Sequence, residues 1–291
     1  MMAPMSAINR RALLHIGLRG GIAAAAGAAT LGTLGTLGAS VAAGAPPAPQ
    51  APPGPAPTFA AGSFTSADRG GALTNWIIAR PPGQLAPIRP VILLHGKDSN
   101  AHTVMSMGAE QFLADAVEAG APPFAIAAVD GGGSYWHRRA SGEDSGAMVL
   151  DEFIPLLGEQ GLDTSRVAFL GWSMGGYGAM LLGSRLGAGR TAAICAVSPA
   201  LWTSPSAAAP GAFDGAQDYA ANSVWGLGAL NGIPLRIDCG YDDPFYPATQ
   251  QFIAQLPTPP AGGFSPGGHN ASYWSSQLTS ELTWAAPLLT A

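Results

Sequence analysis

The chain has 291 residues, of which 47% are hydrophobic and only 11% charged, with 40 Gly and 26 Pro. That balance excludes a disordered polar chain and a coiled coil, both of which need far more charge. A formal net charge of −5 argues against nucleic acid as a partner, and two Cys exclude a disulfide scaffold or a Cys-rich zinc module.

Arg10-Arg11 precede an uncharged, mildly apolar stretch rich in Gly, Ala, Leu and Thr. Paired arginines before such a stretch are the pattern of a twin-arginine export signal. Val41-Ala42-Ala43 offers small residues for signal peptidase, so residues 1–43 are expected to be removed and the mature chain to be secreted or extracytoplasmic. The alternative is an uncleaved anchor, but Gly and Thr dilute the segment well below a Leu-rich span, so no stable membrane insertion is expected after cleavage. Loss of Arg10, Arg11 and Arg19 leaves the rest more acidic. Residues 44–58 contain APPAPQAPPGPAP, an extended spacer that cannot join a packed core. The folded domain is expected over residues 59–291.

Within it, Leu73–Ala79 and Val91–Leu94 read as strands, the second fully buried. Met107–Ala119 has helical spacing of apolar residues. Phe124–Val129 is a buried strand closed by Asp130-Gly131-Gly132-Gly133. A helix begins near Ser145 and runs to Leu157. Val167–Leu170 is a strand and Gly175–Leu186 a helix of small residues. Ala192–Val197 and Leu235–Asp238 are strands, and Phe245–Leu256 and Ser275–Leu289 are helical. Strands alternating with helices at this spacing predict an α/β fold, a mostly parallel central sheet with helices on both faces. The strands are apolar runs without period-2 alternation, as expected when both faces are covered.

Between the Val167–Leu170 strand and the helix after it lies Gly171-Trp172-Ser173-Met174-Gly175, a G-x-S-x-G. A sharp strand-to-helix turn forces the central Ser into a crowded backbone conformation and aims its hydroxyl into the crevice at the carboxyl ends of the strands. In such an elbow the nucleophile is followed along the chain by an acid and then a histidine. His269 is the only His downstream of Ser173. The acid should come from the loop after the Leu235–Asp238 strand, where Asp242 and Asp243 both stand. Asp243 is preferred for its G-x-x-D spacing from Gly240, with Asp242 as the alternative. The acid would orient the imidazole without taking its proton. The oxyanion donors expected are the N–H of Met174 and that of Lys97, in the loop His95-Gly96-Lys97-Asp98. His95 and His102 lack a third clustered ligand, so no metal is expected, and the chemistry implies no cofactor.

Together the elbow G-W-S-M-G-G, the ending G-G-H-N-A-S-Y-W, the strand ending in H-G and the segment Asp151-Glu152-Phe153-Ile154-Pro155 resemble the α/β-hydrolase fold. More narrowly, they resemble the esterase family that includes S-formylglutathione hydrolases, feruloyl esterases and secreted mycolyltransferases. The resemblance spans about residues 70 to 290. It implies a serine esterase with little or no lid domain, acting on a small-molecule, lipid or cell-wall ester. The alternative is an acyltransferase passing the acyl group to a sugar, and a third reading is a non-catalytic binding module on the same fold. The last strand before His269 is expected to be short and irregular, since Gly262-Gly263-Phe264-Ser265 is Gly-rich. Tyr135 and Trp136, on the loop opened by Gly131-Gly132-Gly133, are candidate pocket walls, as is Trp202. Arg138 and Arg139 are expected to meet acids such as Glu143 and Asp144 rather than substrate, and Trp172 to pack. Cys195 and Cys239 fall on neighbouring strands and are expected to be free thiols.

Overall fold

A computed structural model of the chain describes residues 58–84 and 86–291. The expected export signal, and all but the last residue of the expected linker, lie outside the described residues. Eight strands form one sheet: β1 (Thr58–Ser66), β2 (Ala72–Arg80), β3 (Pro90–Leu94), β4 (Ala125–Val129), β5 (Val167–Trp172), β6 (Thr191–Val197), β7 (Leu235–Gly240) and β8 (Ala261–Ser265). Their order across the sheet is β1-β2-β4-β3-β5-β6-β7-β8. β1 and β2 run antiparallel, and β2 meets β4 antiparallel; all pairings from β4 to β8 are parallel. β3, β4, β5 and β6 are buried along their whole length, which is why their sequences show no alternation.

β1 is not among the elements the sequence predicts. Its sequence, TFAAGSFTS, mixes small and polar residues with two isolated Phe, and it pairs on one side only, with β2. An edge strand of this kind carries no buried run to detect. Gly62 marks the close fit: a Cβ there would run into the Trp76 ring of β2. The Ala67 N–H at the β1–β2 turn donates to Glu152 Oε1 at 2.7 Å, so Glu152 anchors the hairpin.

Two layers of helix cover the sheet. α1 (Ala101–Val104) and α2 (Glu110–Glu118) are joined through a π-helical turn, Met105–Ala109, in which Gly108 turns at φ 102°. The helix expected from Met107 therefore starts earlier, where Asn100 caps it by accepting the Thr103 N–H at 2.9 Å, and breaks at Gly108. α3 (Ser145–Ala147) and α4 (Ile154–Glu159) flank a second π-helical turn, Met148–Phe153. α5 (Met174–Leu186) is buried on nearly every side. α6 (Ala216–Asn222) lies between β6 and β7, α7 (Tyr246–Gln255) between β7 and β8, and α8 (Ala271–Thr290) closes the chain. One face of the sheet packs Phe153, Leu157, Tyr177 and Met180, and the other packs Leu113, Ala116, Leu282 and Ala285. Each buried Leu, Met or Phe of this kind stabilises the fold by roughly 1.5–3 kcal/mol. Among the described residues no helix is long and apolar enough to cross a membrane.

Cys195 and Cys239 are buried free thiols on adjacent strands. The register pairs Cys195 with Arg236, so Cys239 sits further along β7 and faces no cysteine.

α8 brings one ionisable group into this core. Glu281 is fully buried, and neither carboxyl oxygen has a hydrogen-bond partner. Burial and the neighbouring Asp238 push its pKa well above the ordinary carboxylate range. Asp238 itself is pushed up by burial, against the opposing pull of its ion pair with Arg236, at 2.6 Å. The folded chain therefore holds a proton at Glu281 that the unfolded chain releases above about pH 4.3. Stability falls with rising pH wherever the folded state binds the extra proton. Glu281→Gln is expected to reduce that slope, leaving the smaller share of Asp238, so its stability relative to wild type rises from pH 4.5 to pH 7. Urea unfolding midpoints across that range check it; parallel curves would refute it.

Candidate active site

β5 passes into α5 through a single residue, Ser173. Its backbone takes φ 56° and ψ −121°, a crowded conformation for a residue with a Cβ. Glycines make the space. A Cβ on Gly171 would overlap the Gly175 carbonyl, and one on Gly175 would overlap the Leu94 carbonyl at the end of β3. Here β5, the first turn of α5 and β3 approach backbone to backbone. The Ser173 N–H donates to the Val197 carbonyl at 3.0 Å, and its own carbonyl accepts the N–H groups of Tyr177 and Ala200, each at 3.0 Å. With the backbone fully engaged, the hydroxyl stands half-buried above the carboxyl ends of the strands. β3 has β4 on one side and β5 on the other, so this is the point where the strand order reverses, and a crevice opens at such a point.

Asp243 follows β7 and His269 follows β8. Close backbone approach again decides the placement. The Asp242 N–H donates to the Gly267 carbonyl at 2.9 Å and the Tyr241 N–H to the Ser265 carbonyl at 3.0 Å, drawing the two loops together. A side chain on Gly240 would collide with Gly267, and one on Gly267, at φ 148°, with the Tyr273 ring. Asn270 caps α8 through the Tyr273 N–H at 3.0 Å, so α8 begins four residues sooner than predicted and fixes the loop that carries His269.

The result is a continuous line of hydrogen bonds. His269 Nδ1 lies 2.9 Å from Asp243 Oδ2, and His269 Nε2 lies 2.9 Å from Ser173 Oγ. Asp243 Oδ1 accepts the Phe245 N–H at 2.8 Å. The Asp243 side chain is fully buried, whereas Asp242 is exposed. Burial opposes the Asp243 charge, but the hydrogen bonds from His269 and the Phe245 N–H outweigh it, and its pKa lies below the ordinary value. The imidazole is packed between Phe245, with ring centroids 5.2 Å apart, and the edge of Trp274, at 5.1 Å.

No family model and no curated protein matches the chain. Solved structures do. A ferulic acid esterase matches with a TM-score of 0.70 at 20% identity, over 80% of this chain and 99% of its own. An S-formylglutathione hydrolase from Staphylococcus aureus matches at 0.66 with 18% identity, over 79% and 99% of the two chains. One from Agrobacterium tumefaciens matches at 0.63 with 19% identity, over 80% and 96%. The chain has the α/β-hydrolase fold. These neighbours are of the kinds the sequence resembles, and at such low identity what they share with this chain is the fold.

On that fold the first expected oxyanion donor adjoins the nucleophile, and the loop that carries the second touches the residue before it. Met174 is the first residue of α5, and Gly96-Lys97 lies against Trp172: a Cβ on Gly96 would meet the Trp172 side chain at 3.3 Å. Neither the Met174 nor the Lys97 N–H donates to a protein acceptor among the described residues. The Lys97 side chain is exposed.

The three expected pocket walls are all buried, Tyr135 at 5%, Trp136 at 0% and Trp202 at 8% exposure, but they pack differently. Tyr135 and Trp202 face each other with centroids 5.5 Å apart, and Trp202 continues to Phe245 at 5.5 Å, and so to His269. Trp136 is a correction. It is fully buried, wedged where side chains on Gly131 and Gly178 would overlap it, and forms no wall. Tyr135 and Trp136 have consecutive left-handed backbones, at φ 57° and 60°, which turn Trp136 down into the core. Arg139 pairs with Asp214 at 2.6 Å, not with Glu143 or Asp144; Glu143 instead holds Arg69 at 3.1 Å. Among the described residues no cluster of three His, Cys, Asp or Glu could hold a metal. Phe245 is a site neighbour that sequence reasoning assigns only to a helix start; its position two residues after the acid is the available signal.

Gly175→Ala tests the elbow. The added methyl must displace either the end of β3 or the first turn of α5, and a misplacement near 1 Å costs about 100-fold. The expected outcome is fluorophosphonate labelling of Ser173 slowed by about that factor, with the circular dichroism spectrum retained.

Proposed function

We propose that the chain is a serine esterase, hydrolysing carboxylic esters through an acyl-enzyme on Ser173, and that it is exported by a twin-arginine signal. The observation that carries this reading is the unbroken hydrogen-bond line from Ser173 through His269 to Asp243. His269 Nε2 takes the hydroxyl proton as Ser173 Oγ attacks the ester carbonyl. The negative oxygen of the tetrahedral intermediate accepts the Met174 and Lys97 N–H groups. His269 then gives its proton to the departing alcohol, leaving the acyl group on Ser173. Water repeats the sequence, with His269 again as base, and releases the acid. Asp243 stays ionised throughout, holding the tautomer with hydrogen on Nδ1 and stabilising the imidazolium. Tyr135, Trp202 and Phe245 would receive the apolar part of a small-molecule, lipid or cell-wall ester. A sugar hydroxyl in place of water would make the same acyl-enzyme a transferase.

Ser173→Ala is expected to abolish hydrolysis of p-nitrophenyl esters from acetate to palmitate and all fluorophosphonate labelling. Labelling that persists in the variant would overturn the assignment. Product partition with trehalose present separates hydrolysis from transfer, and precursor retained by an Arg10-Arg11 to Lys-Lys variant tests the export route.

Asp243→Asn should lower turnover by about 10⁴, because the amide holds the wrong tautomer. Asp242→Asn should cost about tenfold or less, through field alone. Steady-state kinetics of the two variants decide; the reverse order would assign the acid to Asp242.

A further inference from the structure

We propose that His95 is a positioning residue that aims the Lys97 N–H at the oxyanion; this rests on the esterase reading above. His95 is fully buried at the end of β3, with Nδ1 2.7 Å from the Gly96 carbonyl and Nε2 2.8 Å from the Gly131 nitrogen at the end of β4. A backbone N–H only donates, so Nε2 is the acceptor and the ring's hydrogen must sit on Nδ1. That hydrogen is donated to the Gly96 carbonyl.

The consequence lies one bond further on. The Gly96 carbonyl and the Lys97 N–H belong to the same planar trans peptide and point in opposite directions. Holding the carbonyl against the ring turns the N–H away from it, to the side where it meets no protein acceptor among the described residues. The same loop touches the elbow: a Cβ on Gly175 would lie 2.8 Å from the His95 carbonyl. The ring is braced in turn by Trp136, edge-on with centroids 5.0 Å apart. This gives the buried Trp136 a place in the site after all, as the support of a support. Burial pushes the His95 pKa down, which keeps the imidazole neutral and Nε2 able to accept.

Three variants separate positioning from packing. His95→Asn places an amide N–H where Nδ1–H was but does not reach Gly131. His95→Gln reaches Gly131 and no longer serves Gly96. His95→Leu serves neither. A misdirected oxyanion donor costs about 10²–10³ in kcat. Such a bond forms only in the transition state, so KM should stay within about threefold. We expect that loss in His95→Leu and His95→Gln, with recovery to within about tenfold of wild type in His95→Asn. Affinity for an aryl boronic acid, whose serine adduct is tetrahedral, should fall in step with kcat. Thermal unfolding normalises each rate to folded protein, and if His95→Leu does not fold, the Asn and Gln pair decides. Equal kcat per folded enzyme in Asn and Gln, or boronate affinity unchanged in the variants, overturns the proposal while leaving the esterase reading intact. A wild type inactive on every ester overturns both.

Discussion

Gly171, Gly175 and the Leu94 carbonyl occupy a space into which no Cβ fits. The geometry of the site descends from that contact. It lets α5 start one residue after β5, which leaves Ser173 alone at the turn with its backbone bonded and its hydroxyl free. It seats the first N–H groups of α5, unpaired as at any helix start, beside the nucleophile. It also brings the end of β3, and with it the His95-Gly96-Lys97 loop, against the same turn. A second contact of this kind, between Gly240 and Gly267, brings the acid and the histidine loops together from the other side. Both contacts are between main chains, so neither depends on the rotamer of a flexible side chain.

Two histidines of this molecule, His269 half-buried and His95 fully buried, illustrate how a partner sets an imidazole's role. His269 faces a carboxylate on one nitrogen and a hydroxyl on the other, and so can pass a proton between states. His95 faces a carbonyl on one nitrogen and a backbone N–H on the other. Only one tautomer satisfies both of its neighbours, and gaining a second proton would break a buried hydrogen bond. The first arrangement suits proton transfer and the second suits a fixed strut. Asp243 belongs with the first: its charge is kept in a buried place by two donors, where desolvation alone would favour the neutral acid.

The loop after β4 sends two neighbouring aromatic side chains into one core, on the same face of the sheet. Successive left-handed residues send Tyr135 toward Trp202 and Trp136 toward His95. Left-handed φ at two bulky residues is costly, roughly 1–3 kcal/mol each. The tight seat of Trp136 between Gly131 and Gly178 supplies packing that offsets it. One dipeptide thereby braces His95 and joins the aromatic packing that runs through Trp202 and Phe245 to His269.

The elbow, the buried strands and His269 were legible in the sequence because their signals are local: an apolar run, a G-x-S-x-G at its end, one downstream histidine. Local signals were silent on β1, which has no continuous apolar run and pairs along one edge, and on the early start of the helix capped by Asn100. They also left Asp242 and Asp243 both open, since adjacent residues in a loop have the same composition and the same reach. Tertiary structure separates them, burying the Asp243 side chain against His269 and leaving Asp242 exposed. It likewise set Trp136 against His95 and Tyr135 against Trp202, and gave His95 its two backbone partners. The physical reason is common to these cases. Composition and periodicity report whether a residue prefers burial, whereas the direction of a side chain at the end of a strand is set by backbone turns and by hydrogen bonds to distant strands. Those partners exist only once the sheet has assembled in its β4-β3-β5 order.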